Sequence, residues 1–275
     1  MVCGSHLQYH TQPVEGHCHY CNSENKWYIS CSKGHMVCDS CHNQQTMQQI
    51  KTILMKSTST DPFAISEHCM DLPILPMLGC QHTYIAGGAL MTALKNEGTF
   101  DLTNDAVLEV FHRTEKQAHG GYCGLTGTCG IAPSLGACMA ILTGSRCGRD
   151  KEQKLTMELV SRVMGAITKL TGPSCCKAYV RISLAVAVDF IQQHFSLLLP
   201  GNDSPTCRHM ENHPHGCRQE KCPYFPLNSI EKNKNPIAPT PLWPRVISPE
   251  PDIAWQLQER IKHLMQSFLK LCRLQ

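Results

Sequence analysis

Ser174–Phe195, SCCKAYVRISLAVAVDFIQQHF, reads as a helix that is apolar nearly all round from Ala178 to Ile191. A helix of that kind belongs inside a core, which makes the fold around it mainly α-helical. Ser174 stands where it can cap this helix, and Gly172-Pro173 stops whatever precedes it. Its first turn carries Cys175, Cys176 and Lys177. The helix dipole and the nearby ammonium each lower a thiol pKa, so these are candidate thiolates. Adjacent cysteines close a strained disulfide, so ligation or reactivity is favoured over a vicinal bridge, with packing as the alternative for one of the two.

Upstream, Leu155, Leu159, Val163, Ile167 and Leu170 form one apolar stripe, opened by Asp150-x-x-Gln153, which resembles a capping box. Before that lies AHGGYCGLTGTCGIAPSLGACMAILTGSRC, residues 118–147, where Cys123, Cys129, Cys138 and Cys147 sit among glycines. Glycine permits tight bends and close approach to a ligand, so the stretch reads as a site, with close helix packing as the alternative. Ile131–Leu142 looks helical with Pro133 in its first turn, which puts Cys123 and Cys129 in the entering loop. Thr103 or Asn104 can cap a helix bearing Ala106, Val107, Val110 and Phe111. Ile85, Ala86, Ala89, Leu90, Ala93 and Leu94 repeat at helical spacing up to Gly98, with Gly87 and Gly88 open to a close neighbour and His82 just ahead. Asp61-Pro62 starts a shorter helix, and a further helix runs to about Lys56.

Downstream comes Cys207-x9-Cys217-x4-Cys222, interspersed with His209, His213 and His215. Imidazole with thiolate suits zinc, whereas cysteine alone suits an iron–sulfur cluster. Seven prolines between Pro226 and Pro251 then mark an extended strap. Ile253, Leu257, Ile261, Leu264, Phe268 and Leu271 line one face of a closing helix, which docks on the body or forms a homodimer contact.

At the other end, Cys18-x2-Cys21 and Cys38-x2-Cys41 are sixteen residues apart, the double-knuckle spacing of a structural zinc site. A disulfide or redox pair is the competing reading. Cys31 and His35 lie between the knuckles in the order of the first six ligands of a RING finger, but the two closing cysteines are missing. A complete second zinc site is therefore not expected.

Composition bounds the function. Eighteen cysteines and fifteen histidines are the outliers, while a net charge of +3 and 6% aromatics give no strong nucleic-acid signal. No signal peptide and no apolar run of about 18 residues are visible, so a reducing, cytoplasmic setting with metal-bound or reactive thiols is expected and a membrane span is not. No P-loop and no dinucleotide fingerprint are present.

Several segments together resemble an uncharacterised cysteine-rich family of bacterial and archaeal proteins, a domain of unknown function found at times near methyltransferase or radical chemistry genes. They are Cys31–His42, Gln81-His82, Gly120–Gly124, Thr128–Gly130, Gly172–Lys177 and Lys221–Pro223. The resemblance implies no activity, but it favours His82, Cys123, Cys129, Cys175, Cys176, Cys207, Cys217 and Cys222 over Cys138 and Cys147.

The expected organisation is a zinc-ribbon module over 1–45, a helical bundle-like domain over 46–226, a proline-rich strap over 227–251 and a terminal helix over 252–275. Cys18, Cys21, Cys38 and Cys41, with Cys31 and His35, are the N-terminal metal candidates. Cys123, Cys129, Cys175 and His82 are the catalytic candidates. Cys176, Cys207, Cys217 and Cys222 are the cofactor ligands of a shared central site holding an iron–sulfur cluster or a second zinc. Sulfur transfer or other thiol chemistry on a small molecule or sulfur donor is the expected reaction. A zinc-binding adaptor and a thiol redox protein are the alternatives.

Overall fold

The computed structural model describes residues 2–3, 5–170, 172–201 and 204–226. The predicted strap and terminal helix, with the homodimer contact assigned to that helix, lie outside the described residues. Among the described residues, no helix is long and apolar enough to cross a membrane.

The chain opens on an antiparallel pair, β1 (Leu7–His17) and β2 (Glu24–Cys31), with Leu7 opposite Cys31 and His17 opposite Glu24. The register shifts between Tyr9 and Val14, as at a β-bulge. The connection between the strands holds Cys18 and Cys21, and α1 (Asp39–Lys56) begins in the second knuckle with Cys38 as its N-cap. Seven further helices follow: α2 (Pro62–Met70), α3 (Gln81–Glu97), α4 (Asn104–Glu115), α5 (Tyr122–Thr126), α6 (Ile131–Thr143), α7 (Asp150–Lys169) and α8 (Cys176–Phe195). Two 3-10 turns, Met210–Asn212 and Gln219–Lys221, complete the described chain. The mainly helical fold with a small N-terminal sheet is as the sequence implies.

α8 contributes to the core as expected, and the centre of the body is α3. Thirteen α3 residues are buried, and the helix packs against α1, α2, α4, α6 and α8. Its small side chains permit this crowding. A Cβ on Gly87 would strike Ser134 Oγ and come 2.8 Å from Val110 Cγ1, and one on Gly88 would come 2.5 Å from Leu54 Cδ1. By contrast α8 buries one side, including Val180, Leu184, Ala187, Phe190 and Ile191, and leaves Ala185, Val186 and Val188 half-buried. An all-round apolar pattern thus does not decide which helix is enclosed; side-chain size does.

Two helix starts match their sequence signals. Asp61 accepts from the N–H groups of Phe63 (2.8 Å) and Ala64 (3.1 Å), and Thr103 accepts from that of Asp105 (3.2 Å). Two do not. Asp150 is the first residue of α7, behind Arg149, and no capping box forms. Cys175, not Ser174, is the N-cap of α8, which moves Cys176 into the helix proper. The Ser174 carbonyl accepts instead from the His213 ring at 2.9 Å.

Candidate metal and thiol sites

The hairpin connection and the start of α1 bring Cys18, Cys21, Cys38 and Cys41 together, with all four sulfurs within 4.8 Å of one another. Cys21 and Cys38 are 3.6 Å apart. Zinc–sulfur bonds of about 2.3 Å in a tetrahedron put sulfurs about 3.8 Å apart, so the four fit a closed tetrahedral ion. Backbone donors pre-shape the site: the Cys38 N–H points at Cys18 Sγ (3.3 Å) and the Cys41 N–H at Cys38 Sγ (3.4 Å). Burial pushes the Cys18 thiol up, but the N–H groups of Cys38, Cys21 and Tyr20 prevail and bring it down to about 6. The sulfurs of Cys38, Cys21 and Cys18 push the Cys41 thiol up to about 12. Four thiolates crowded around one point need a cation between them, and a divalent metal supplies it.

A second group lies beside the first. Cys31 is 3.5 Å from Cys3 and 3.3 Å from His35 Nδ1, and the three ligand atoms all lie within 4.8 Å. Hydrogen bonds from Ser5 and then His35 lower the Cys3 thiol to about 6. The two groups interleave along the chain: Cys3 precedes the first knuckle, and Cys31 and His35 separate the two knuckles. Spacing alone pointed to Cys31 and His35 but gave no reason to include Cys3, fifteen residues ahead of Cys18.

In the helical body the predicted thiols divide into two groups on either side of the twin cysteines. Cys175, Cys207 and Cys222 are buried together with Ala178 and Tyr224. The Cys207 N–H donates to the Tyr224 carbonyl at 2.7 Å, which closes this loop on itself. Burial pushes the Cys175 and Cys222 thiols up, and Arg218 offsets part of that rise in each. Cys217 is half-buried and its sulfur accepts from the Gln219 N–H at 3.4 Å. On the other side, burial pushes Cys176 up to about 12, with the charges of Cys129 and Cys123 adding to the rise. Cys129 is raised to about 11 by burial and then by Cys123 and Cys80. Among the described residues only the two N-terminal groups are drawn within 4.8 Å, and no disulfide joins the described cysteines. Cys138 is fully buried and donates to the Gly87 carbonyl at 3.2 Å, a packing role.

The family model of a family of unknown function, DUF5714, matches residues 50–225. The chain belongs to this family. No curated protein and no solved structure matches the chain. The DUF5714 segment contains every thiol of the body and leaves both N-terminal ligand groups outside it.

Within the DUF5714 domain a set of buried charges borders the Cys207 side. Arg181, 1% exposed, makes a bidentate pair with Glu67 at 2.7 and 2.8 Å. Burial opposes its charge, but Glu67 more than compensates, and the Cys207 sulfur adds to the effect. Arg181 also lies over the Tyr224 ring, 5.4 Å from its centroid. Lys177 Nζ donates to the Met70 carbonyl at 2.6 Å, and burial, then Arg181, lowers its pKa to about 8. Nearer the surface, exposed Asp71 pairs with Arg208 and with His209. His82 is wholly buried, with Nδ1 3.0 Å from the Gly79 carbonyl and Nε2 without a partner among the described residues. The carbonyl fixes the proton on Nδ1, so Nε2 is left as an acceptor. Burial, then Lys177, lowers this imidazole to about 3, which keeps it neutral. The sequence reads Lys177 as an ammonium that lowers the thiol pKa of Cys175 and Cys176, but burial raises both, so they are not thiolates on that account; Arg181 gave no signal beyond its position on an apolar helix. A charge inside such a pattern was the available cue.

Proposed function

We propose that the chain is a thiol-dependent metalloprotein, in which an N-terminal metal-bound module precedes a helical body that carries sulfur-transfer or related thiol chemistry. One observation carries this reading. Cysteines from separate stretches of the chain gather around the start of α8, next to buried Lys177, Arg181 and the unpartnered nitrogen of His82. A packed core made only for stability would place apolar groups there.

Zinc suits the N-terminal set of Cys18, Cys21, Cys38 and Cys41 and has a structural role there, with no position left open. In the body the thiolates suit zinc or an iron–sulfur cluster, which would hold sulfur ligands and stabilise negative charge on them. The chain's own groups supply the rest. Cys123 is exposed and is the thiol an incoming sulfur donor reaches first. Cys129 and Cys175 are the less accessible nucleophile candidates. With Arg181 already paired to Glu67, Lys177 is the cation that favours an anionic donor or product. His82 orients a donor group by accepting its hydrogen bond, since a neutral imidazole held at about 3 does not take up a proton near pH 7.

The adaptor reading has one observation in its favour. Tyr9, Tyr20 and Tyr28 of the hairpin module are 73%, 63% and 58% exposed, and aromatic rings of this kind are enriched at protein contacts. Anaerobic purification followed by metal analysis and an absorption spectrum separates the readings. Metal in excess of the N-terminal sites, with sulfur-to-metal charge-transfer absorption, supports a functional centre in the body. Metal confined to the N-terminal module, with the body thiols fully titratable, supports the adaptor. Reversible loss of body thiols without metal supports a redox protein.

A further inference from the structure

We propose that Cys80 completes a four-thiolate metal centre with Cys123, Cys129 and Cys176, separate from the buried Cys175, Cys207 and Cys222. The inference rests on the proposed function, that the body binds a metal, and assigns its ligands. Cys80 belongs to no spaced motif, and it lies 43 residues ahead of Cys123.

The backbone brings these four positions together. The Gly79 N–H donates to the Cys176 sulfur, which seats the first thiol of α8 on the residue next to Cys80. Cys80 is itself the N-cap of α3. Gly130, adjacent to Cys129, lies flat against the next turn: a Cβ there would come 2.9 Å from Thr83 Cγ2 and 3.1 Å from Ala118 Cβ. Ser134 fastens the same contact by donating to the Thr83 carbonyl at 2.8 Å. The start of α6, the start of α3 and the segment leading to Cys123 are therefore in contact. Accordingly Cys129 lies within electrostatic reach of both Cys80 and Cys123, and Cys176 within reach of Cys129 and Cys123.

Accessibility separates this set from its neighbour. Cys80, Cys129 and Cys176 are half-buried and Cys123 is exposed, so an ion has a way in. Cys175, Cys207 and Cys222 are buried around Ala178 and Tyr224 and have no such way in. Three of the four thiols stand at the starts of α3, α6 and α8. The fourth, Cys123, is on α5, which has no buried residue. Four thiolates suit tetrahedral zinc or an iron–sulfur cluster, and each binding event releases the thiol protons.

The test uses the full chain, loaded anaerobically either with Zn2+ or with ferrous iron and sulfide, and compared with the chelated protein by alkylation and mass spectrometry. Loading is expected to protect Cys80, Cys123, Cys129 and Cys176 together, while labelling of Cys175, Cys207 and Cys222 stays unchanged. The absorption spectrum of the two loaded forms distinguishes zinc from an iron–sulfur cluster. Cys80→Ser should weaken binding in the body by at least about tenfold, as should Cys176→Ser, whereas Cys138→Ala should bind as the unaltered chain does. Equal labelling of Cys80 with and without metal, while the other three are protected, overturns the ligand assignment and leaves the proposed function standing. Uptake of no metal beyond the N-terminal groups by the unaltered chain overturns both. Because the alkylation comparison needs no substitution, a variant that fails to fold does not decide the outcome.

Discussion

Arg181 shows how much a single buried charge depends on its partner. With the guanidinium 1% exposed and Glu67 15% exposed, the pair is mostly withdrawn from water, and its bidentate geometry is what makes burial tolerable. Removing the acid alone leaves an uncompensated cation, so Glu67→Ala is expected to cost about 3–5 kcal/mol in urea unfolding, while Glu67→Leu combined with Arg181→Met should cost less than either change alone. A result in which the double change is the most damaging would mean that the pair contributes net stability. His82 sets an acid limit. Its folded pKa of about 3 lies below the ordinary 6.5, so between those values the unfolded chain binds a proton that the folded one refuses. Stability is therefore complete above pH 6.5 and falls as the pH drops toward 3. His82→Gln should flatten that part of the pH–stability curve, measured by thermal midpoint at each pH. In the N-terminal module, Cys38→Ser should release the metal and lower the thermal midpoint of the hairpin, because metal-binding free energy is folding free energy there.

Among the elements, α3 decides the packing. Gly87→Ala would ordinarily add about 1 kcal/mol of helix propensity. Here the new methyl meets Ser134 Oγ and Val110, and the Ser134 hydroxyl is already committed to Thr83 and Thr114. A net loss of about 1–3 kcal/mol is expected by denaturant titration; a gain would show that α3 and α6 are less tightly joined than their contact indicates. Much of this level was legible in the sequence. The apolar spacing of 85–94 and 155–167 and the caps Asp61 and Thr103 are local signals, and local signals were enough to find those helices. The roles of α3 and α8 were not legible, because enclosure depends on which helix lets neighbours approach on every side. Ser174 illustrates the same limit: its capping potential is a local property, but its carbonyl is engaged by His213, 39 residues later, and the cap passes to Cys175.

At the scale of the molecule, two N-terminal ligand groups precede a helical DUF5714 domain with its own thiols. The double knuckle could be read directly, since both halves of each chelating turn are close in sequence. Cys3 could not, because it joins Cys31 and His35 only through the pairing of β1 with β2. The proposed role of Cys80 has the same origin, since it depends on the meeting of α3, α6 and α8. In the histidine-rich loop at 207–222, the thiols Cys207 and Cys222 are buried with Cys175. The central claim is that the body carries a metal centre of its own, independent of the N-terminal module. It is tested most directly by the metal content of the anaerobically purified full chain carrying both Cys3→Ser and Cys38→Ser, which disable the two N-terminal groups. The account predicts that zinc or iron remains bound in stoichiometric amount and is lost on adding Cys176→Ser; a metal content reduced to trace by the two N-terminal changes alone would contradict it.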